Sequence, residues 1–158
     1  MLHDLEEAPW PIPDCAAEAV EMHHVLEHLG ATTASFRAIM REIYRICRNG
    51  ASVGITVPHP RHDNFLGDPT HVRPITPQLL ELFSRRMNAH WREIGTPHSR
   101  LAEAWGVDFE ITERRTSLEG DWYARFSRGD IDEDELRHAM ATYNNVVAEY
   151  HIVLQARK

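Results

Sequence analysis

Two clusters of histidine dominate the chemistry this chain could do. The first is in MHHVLEHLG, residues 22–30, where His23, His24 and His28 flank Glu27. The second runs through PHPRHDNFLGDPTHVRPI, residues 58–75, with His59, His62, Asp63, Asp68 and His71. Imidazole changes charge near neutral pH, carries protons and ligates metals. Eleven histidines in 158 residues are many, and their bunching is the compositional feature to explain. Taken literally, His24 to His28 reads H-x-x-E-H, the ligand order of an inverted zinc-peptidase helix. Such a site needs a helix that holds His24 and His28 on one face, plus a distant third ligand. Here the string directly follows an apolar stretch and stands two residues before Gly30. It is expected to be a single turn, a poor rigid platform for two ligands. The plainer expectation is that Leu26 and Leu29 pack inward while the histidines cap and line a strand-end loop. For the second cluster three possibilities stand side by side. Asp68-Pro69-Thr70 is a turn whose aspartate binds backbone amides and whose histidines satisfy loop carbonyls; the loop contacts a substrate; or His59, His62 and His71 hold a zinc ion.

The elements that must position these residues follow from pattern. Residues 1–5 (MLHDL) have the look of a strand end, and Glu6 to Asp14, with three prolines in five residues, is a turn-rich loop. Ala16 to Met22 is expected to be a strand. Thr32 or Thr33 caps the best helix in the chain, whose face carries Phe36, Ile39, Met40, Ile43, Ile46 and Cys47 and which Asn49-Gly50 stops. Ala51 to Val57 alternates as a strand and Pro58 ends it. Residues 58–75 form a loop too long to be a mere connector. Thr76-Pro77 opens a helix, and a weaker helical region over 85–104 is broken at Gly95-Thr96-Pro97. Val107 to Thr112 alternates, Asp132 with Glu135 starts a helix that runs to about Tyr143, and Val146 to Gln155 closes the chain as a strand. Strands alternating with helices imply an α/β sheet with flanking helices. Such a sheet binds ligands off the carboxyl ends of its strands. Both histidine clusters follow strands and so belong to the same rim.

Composition narrows the partners. The net charge of −7 argues against a nucleic-acid partner, because binding to phosphate backbones rests on clustered Lys and Arg. Arg85-Arg86 and Arg114-Arg115 read as solvated pairs. No apolar run approaches the roughly 20 residues of a membrane helix, and MLHDLEEAPW has acids where a signal peptide has lysines. A soluble, cytoplasmic protein without a membrane partner is expected. Cys15 and Cys47 do not make a disulfide framework, and Cys47 is expected to be a buried thiol.

The runs WPIPDCAAEAVEMHHVLEHLG and FRAIMREIYRICRNGASVGITVPHP together resemble class I S-adenosylmethionine (SAM)-dependent methyltransferases of the small-molecule "type 11" kind. Four motifs match in order: Pro11-Ile12-Pro13-Asp14, His24 to Leu29, Glu42 to Gly50, and Val53 to Pro58. DPTHVRPITP is similar to a loop in a subset of these enzymes. The resemblance implies a single domain over 1–158, a partial Rossmann-like sheet of parallel strands followed by C-terminal antiparallel ones, with a helical insertion at 117–143. It makes HVLEH the turn after a central strand and the zinc order a coincidence, with no metal ligand among its residues. It sets Asp4, with Leu5 beside it, at the adenine end of SAM and His23 and His24 at its methionine end; the shared rim then puts His24, His59, His62 and His71 around a small-molecule acceptor, as an expectation.

One departure matters. The family opens with a strand and a Gly-rich turn, yet of the eight glycines here no two lie within three residues of each other. Two opening βα units, roughly 60–90 residues at the usual size, have no counterpart. The expectation is a chain with a late start, one completed by another chain, or one that has lost cofactor binding. SAM binding by the chain alone is then weak or nil. The exposed sheet edge implies a homodimer, a swapped oligomer or completion by a partner. Two rival expectations remain: a non-catalytic partner module of the same fold, and zinc binding through the His59–His71 loop. Trp122, Tyr123, Phe126 and Tyr143 form an aromatic lid or simply core.

Overall fold

The computed structural model describes residues 2–158. Four strands form one sheet in the order β1-β2-β4-β3: β1 is Ala17–His23, β2 Cys47–Pro58, β3 Phe109–Leu118 and β4 Val147–Ala156. β1 runs parallel to β2, whereas β4 is antiparallel to both β2 and β3. Helix α1, Thr33–Ile46, makes the β1–β2 crossover; α2 (Asp63–Leu66), α3 (Pro77–Glu81), α4 (Arg85–Glu93) and α5 (Leu101–Trp105) lie between β2 and β3; α6 (Gly120–Ser127) and α7 (Glu133–Thr142) lie between β3 and β4. This is the expected partial sheet, parallel first and antiparallel later, with flanking helices.

Alternation decides which side of the sheet is core. Val53, Ile55 and Val57 of β2 are buried with Ile152 and Leu154 of β4 and Phe109 of β3. The α1 stripe of Phe36, Ile39, Met40 and Ile43 covers them, joined by Leu80, Phe83 and Trp105. Each such side chain contributes roughly 1.5–3 kcal/mol by leaving water. Thr32 caps α1, its hydroxyl accepting from the Ser35 amide at 3.1 Å. The Asp132–Glu135 capping box of α7 and the Thr76 cap of α3 form as their sequences imply. Cys47 is fully buried. Among the described residues no helix is long and apolar enough to cross a membrane.

Several boundaries are corrected. Residues 2–5 form no strand: no described strand lies alongside to take their ladder hydrogen bonds, and Asp4 instead accepts from the Glu6 amide in a tight turn. Met1, the first residue of that expected strand, lies outside the described residues. α1 ends at Ile46 rather than at Asn49, because Cys47 is already extended and pairs with Ala17. β3 continues past Thr112 to Leu118, since β4 offers a partner along its whole length. Residues 117–118, the start of the expected insertion, therefore belong to a strand.

Candidate functional site at the carboxyl rim of β1 and β2

β1 and β2 are parallel, so the segments that follow them emerge at one rim. His23 ends β1, and His24 takes a left-handed backbone, φ 51°, which lets its amide continue the ladder to the Thr56 carbonyl at 2.9 Å. A non-glycine residue in that region is unusual and clusters at functional sites. The chain then makes one 3-10 turn, Leu26–His28, and leaves it through Gly30, φ 69°. Leu26 is fully buried, which anchors the turn, and Leu29 packs against the same core. The long peptidase helix is not formed.

The loop after β2 is tied onto this turn. The amides of Val72 and Arg73 both donate to the Glu27 carbonyl, at 2.9 and 3.3 Å. The Arg73 guanidinium donates to the Gly30 carbonyl at 2.9 Å and lies over the Phe36 ring. This pins His71 beside His28, their ring centroids 4.6 Å apart. Asp68 closes the DPT turn as its type implies, accepting from the Thr70 amide at 2.8 Å and from the Thr70 hydroxyl at 2.6 Å. The Thr70 hydrogen bond is the main cause holding the Asp68 carboxyl below its ordinary range.

Hydrogen-bond partners fix what each imidazole presents. A carbonyl only accepts, so His71 Nδ1 donates to the Phe65 carbonyl at 2.9 Å and Nε2 keeps the lone pair of the neutral ring. The Thr70 hydroxyl spends its hydrogen on Asp68, so at 2.9 Å it accepts from His28 Nδ1, and His28 Nε2 is likewise free. His59 is the reverse. Its Nδ1 accepts from the Arg61 amide at 3.1 Å, leaving Nε2 as a donor. Burial pushes the His59 imidazole below its ordinary value, and Arg61 and His62 add to the shift. Both His62 nitrogens are engaged: Nδ1 caps α2 through the Asn64 amide, and Nε2 donates to Glu119 Oε2 at 2.9 Å. That bond is the main cause lowering the Glu119 carboxyl.

The four histidines expected around an acceptor therefore do not meet as one group. His24 is held between Glu149 Oε1, 3.2 Å from its Nε2, and Glu27 Oε1, 3.4 Å from its Nδ1. Glu27 in turn lies with His28 and His71, so His24 and His71 share one neighbourhood. His59 packs instead against the Tyr150 ring, and His62 sits at Glu119 in a recess shared with Asp63, Asn64 and Asn145. His59, His62 and His71 do not come together as a zinc triad, because the α2 turn carries His71 away to His28. Helices α6 and α7 join the strand ends at this same rim. Arg61 donates to the Ala141 and Met140 carbonyls at the end of α7, and the Asp63 amide donates to Asn145. Trp122 and Tyr143 stack on each other, while Tyr123 is exposed.

His151 escaped the sequence reading. On the sheet face opposite the core, His23 Nδ1 and His151 Nδ1 both lie 3.2 Å from Thr56 Oγ1, and His151 Nε2 lies 2.8 Å from Ser117 Oγ. One row of polar side chains thus crosses all four strands. The signal was the alternation in VAEYHIVLQA, which puts Glu149 and His151 opposite Tyr150, Ile152 and Leu154. The grouping of Glu27 and His28 with His71 has no local signal, because His71 lies more than forty residues away in the sequence.

The residues expected to face SAM make only part of a cradle. Asp4 is exposed with one carboxylate oxygen used by the Glu6 amide, and its neighbours His3 and Leu5 line a recess of about 420 Å³ with Trp10 to Pro13. His23 is exposed and bound to Thr56. No Gly-rich turn exists in the sequence to let backbone approach the ligand. The residues present therefore do not fit SAM unaided.

No family model and no curated protein matches the chain. Solved structures do. A SAM-dependent methyltransferase from Archaeoglobus fulgidus superposes with a TM-score of 0.59 at 19% identity, covering 98% of this chain and 66% of that one. A SAM-dependent methyltransferase from Methanosarcina mazei gives 0.50 at 12%, covering 98% and 65%. The [4+2]-cyclase SpnF gives 0.52 at 20%, covering 99% and 56%. The chain thus spans about two thirds or less of these relatives, and one of them is described by a different chemistry. What is shared is architecture: this chain has a partial methyltransferase fold, its sheet closing with the antiparallel β4 and β3.

Proposed function

We propose that this chain is the acceptor-facing part of a SAM-dependent methyltransferase and holds the cofactor only weakly by itself. One observation carries this reading: His24, Glu27, His28 and His71 gather at the carboxyl rim of β1 and β2, in a chain matched along 98% of its length by a methyltransferase structure. Ligands of open α/β sheets bind at that rim. Methyl transfer from a sulfonium asks little of the protein beyond in-line positioning. Within that task His24 and His71 orient a small polar acceptor, His59 offers an N–H toward it, and His62 holds α2 against Glu119. Asp4, Leu5 and His23 face the cofactor side.

The Gly-rich side is supplied from outside these residues, by a longer form of the protein or by a separate chain, because a second copy carries no Gly-rich turn. β1 is the sheet edge where such a partner would add strands. The protein works as a cytoplasmic oligomer with neither membrane nor nucleic acid as partner. Calorimetric titration of SAM into the purified chain tests the central point. The expected dissociation constant is millimolar, about −4 kcal/mol; micromolar affinity for the chain alone would refute it. A non-catalytic partner subunit of the same fold is the second reading, favoured by the lack of any closely spaced glycines. Co-purification with a chain that restores SAM affinity but no methyl transfer would select it.

A further inference from the structure

We propose that Glu27, His28 and His71 form a binding site for one divalent transition-metal ion of the zinc class. The site shares these three residues with the rim that carries the methyl-transfer reading, and its test reads metal binding rather than methyl transfer. Glu27 is fully buried, and neither carboxylate oxygen has a hydrogen bond among the described residues; its neighbour is the half-exposed His24, whose Nδ1 lies 3.4 Å from Oε1 and compensates the charge only when that ring is protonated. Burying a carboxylate without a hydrogen bond is costly, and native structures avoid it unless a charge compensates. Two imidazoles face it, and one ligand atom from each of the three residues lies within 4.8 Å of the others. In a tetrahedral zinc site such atoms are roughly 3.3 Å apart, so a small rotation of these side chains closes the shell.

The surrounding bonds prepare both rings for this role. The Phe65 carbonyl accepts a hydrogen bond from His71 Nδ1, and the Thr70 hydroxyl, itself donating to Asp68, accepts one from His28 Nδ1. In the neutral form of either ring the lone pair is then at Nε2, which in His71 lies 3.8 Å from Asp68 Oδ2, and an outer carbonyl or carboxylate orienting a ligand imidazole is how metal sites are built. Two histidines and one carboxylate leave a coordination position for water or a substrate oxygen. His24, 3.4 Å from Glu27 Oε1, stands nearby as a further donor. The string HVLEH thus contributes two ligands, Glu27 and His28, from one 3-10 turn rather than two histidines from a helix. The third comes from the loop tied to it by Val72 and Arg73.

The test is metal analysis and titration of the untagged full chain, stripped of metal and then given Zn²⁺ or Co²⁺. The expected result is one ion per chain with micromolar or tighter affinity, a rise in Tm with Zn²⁺, and Co²⁺ absorption bands of a low-coordinate nitrogen–oxygen site. E27Q keeps the shape and removes the charge. Without metal its Tm equals or exceeds that of the parent, which shows that it folds, while the Zn²⁺-induced rise disappears. H71Q loses the ion likewise, and T70V, which frees His28 Nδ1, weakens binding roughly 10- to 100-fold. H59Q, which a rival triad of His59, His62 and His71 would need, retains parental affinity. Absence of saturable binding, unchanged affinity in E27Q, or equal loss in H59Q would each overturn the site.

Discussion

Gly30→Ala is the sharpest mechanical probe of the turn that carries Glu27 and His28. Gly30 has φ 69°, and a Cβ built there would lie 2.5 Å from the Phe36 Cα, 2.7 Å from its Cβ and 2.8 Å from its backbone nitrogen. Those atoms belong to the first turn of α1, and Phe36 is 1% exposed. They cannot swing aside like a long side chain. Two costs add. The left-handed backbone charges an alanine about 1–2 kcal/mol, and forcing a methyl against a packed helix start costs typically 1–3 kcal/mol more. The sum is about 2–5 kcal/mol. Gly106, φ 71°, has no atom within 4 Å of its built Cβ, so Gly106→Ala incurs the backbone cost alone, about 1–2 kcal/mol. Urea unfolding of both variants, read by circular dichroism, separates the two contributions. Equal destabilisation of the two would refute the close packing of this turn on α1. So would a Gly30→Ala cost below about 1 kcal/mol.

Two further outcomes follow from the charges. Glu42 accepts from the Trp10 amide at 2.7 Å and from Arg45 at 2.8 and 2.9 Å, joining the 6–14 loop to α1. Glu42→Gln is expected to cost about 1–3 kcal/mol at pH 7. The hydrogen bond from Arg45, the main cause, lowers the Glu42 carboxyl, so its stabilisation is present above the ordinary carboxylate value and lost as pH falls through the lowered one. Denaturant unfolding from pH 7 to 3 reads this as a slope that the variant lacks. His59 also titrates low, chiefly through burial. Its unfolded form takes a proton first as pH drops below about 6.5. Stability is therefore full above that value and declines below it by up to about 1.4 kcal/mol per pH unit until the folded ring protonates. His59→Gln flattens this segment of the profile; an unchanged slope would contradict the buried neutral ring.

Period and capping chemistry made most of the fold legible. The α1 stripe, the Thr76-Pro77 start, the Asp132–Glu135 box and the β4 alternation each state a local preference that the tertiary structure keeps. What failed was non-local. Residues 2–5 have strand character but no described neighbour to pair with, and no local pattern reveals that. The end of α1 moved because Cys47 found Ala17 across the sheet. At the site, topology alone brought the two histidine clusters to one rim. It did not divide them, because the division depends on where the α2 turn points and on the hydrogen bonds of single ring nitrogens. His28 and Glu27 became visible only when the DPT loop folded back onto the turn.

A nitrogen–proton correlation map of the isotopically labelled chain, recorded as S-adenosylhomocysteine is added into the millimolar range, tests most directly whether this rim is the donor side of an acceptor site. The prediction is progressive, unsaturated amide shifts at Asp4, Leu5 and His23 to Glu27, with the opposite strand ends at Ala17 and Cys47 unmoved. Shifts centred on Ala17 and Cys47, saturation at micromolar concentration, or an unchanged map would contradict it.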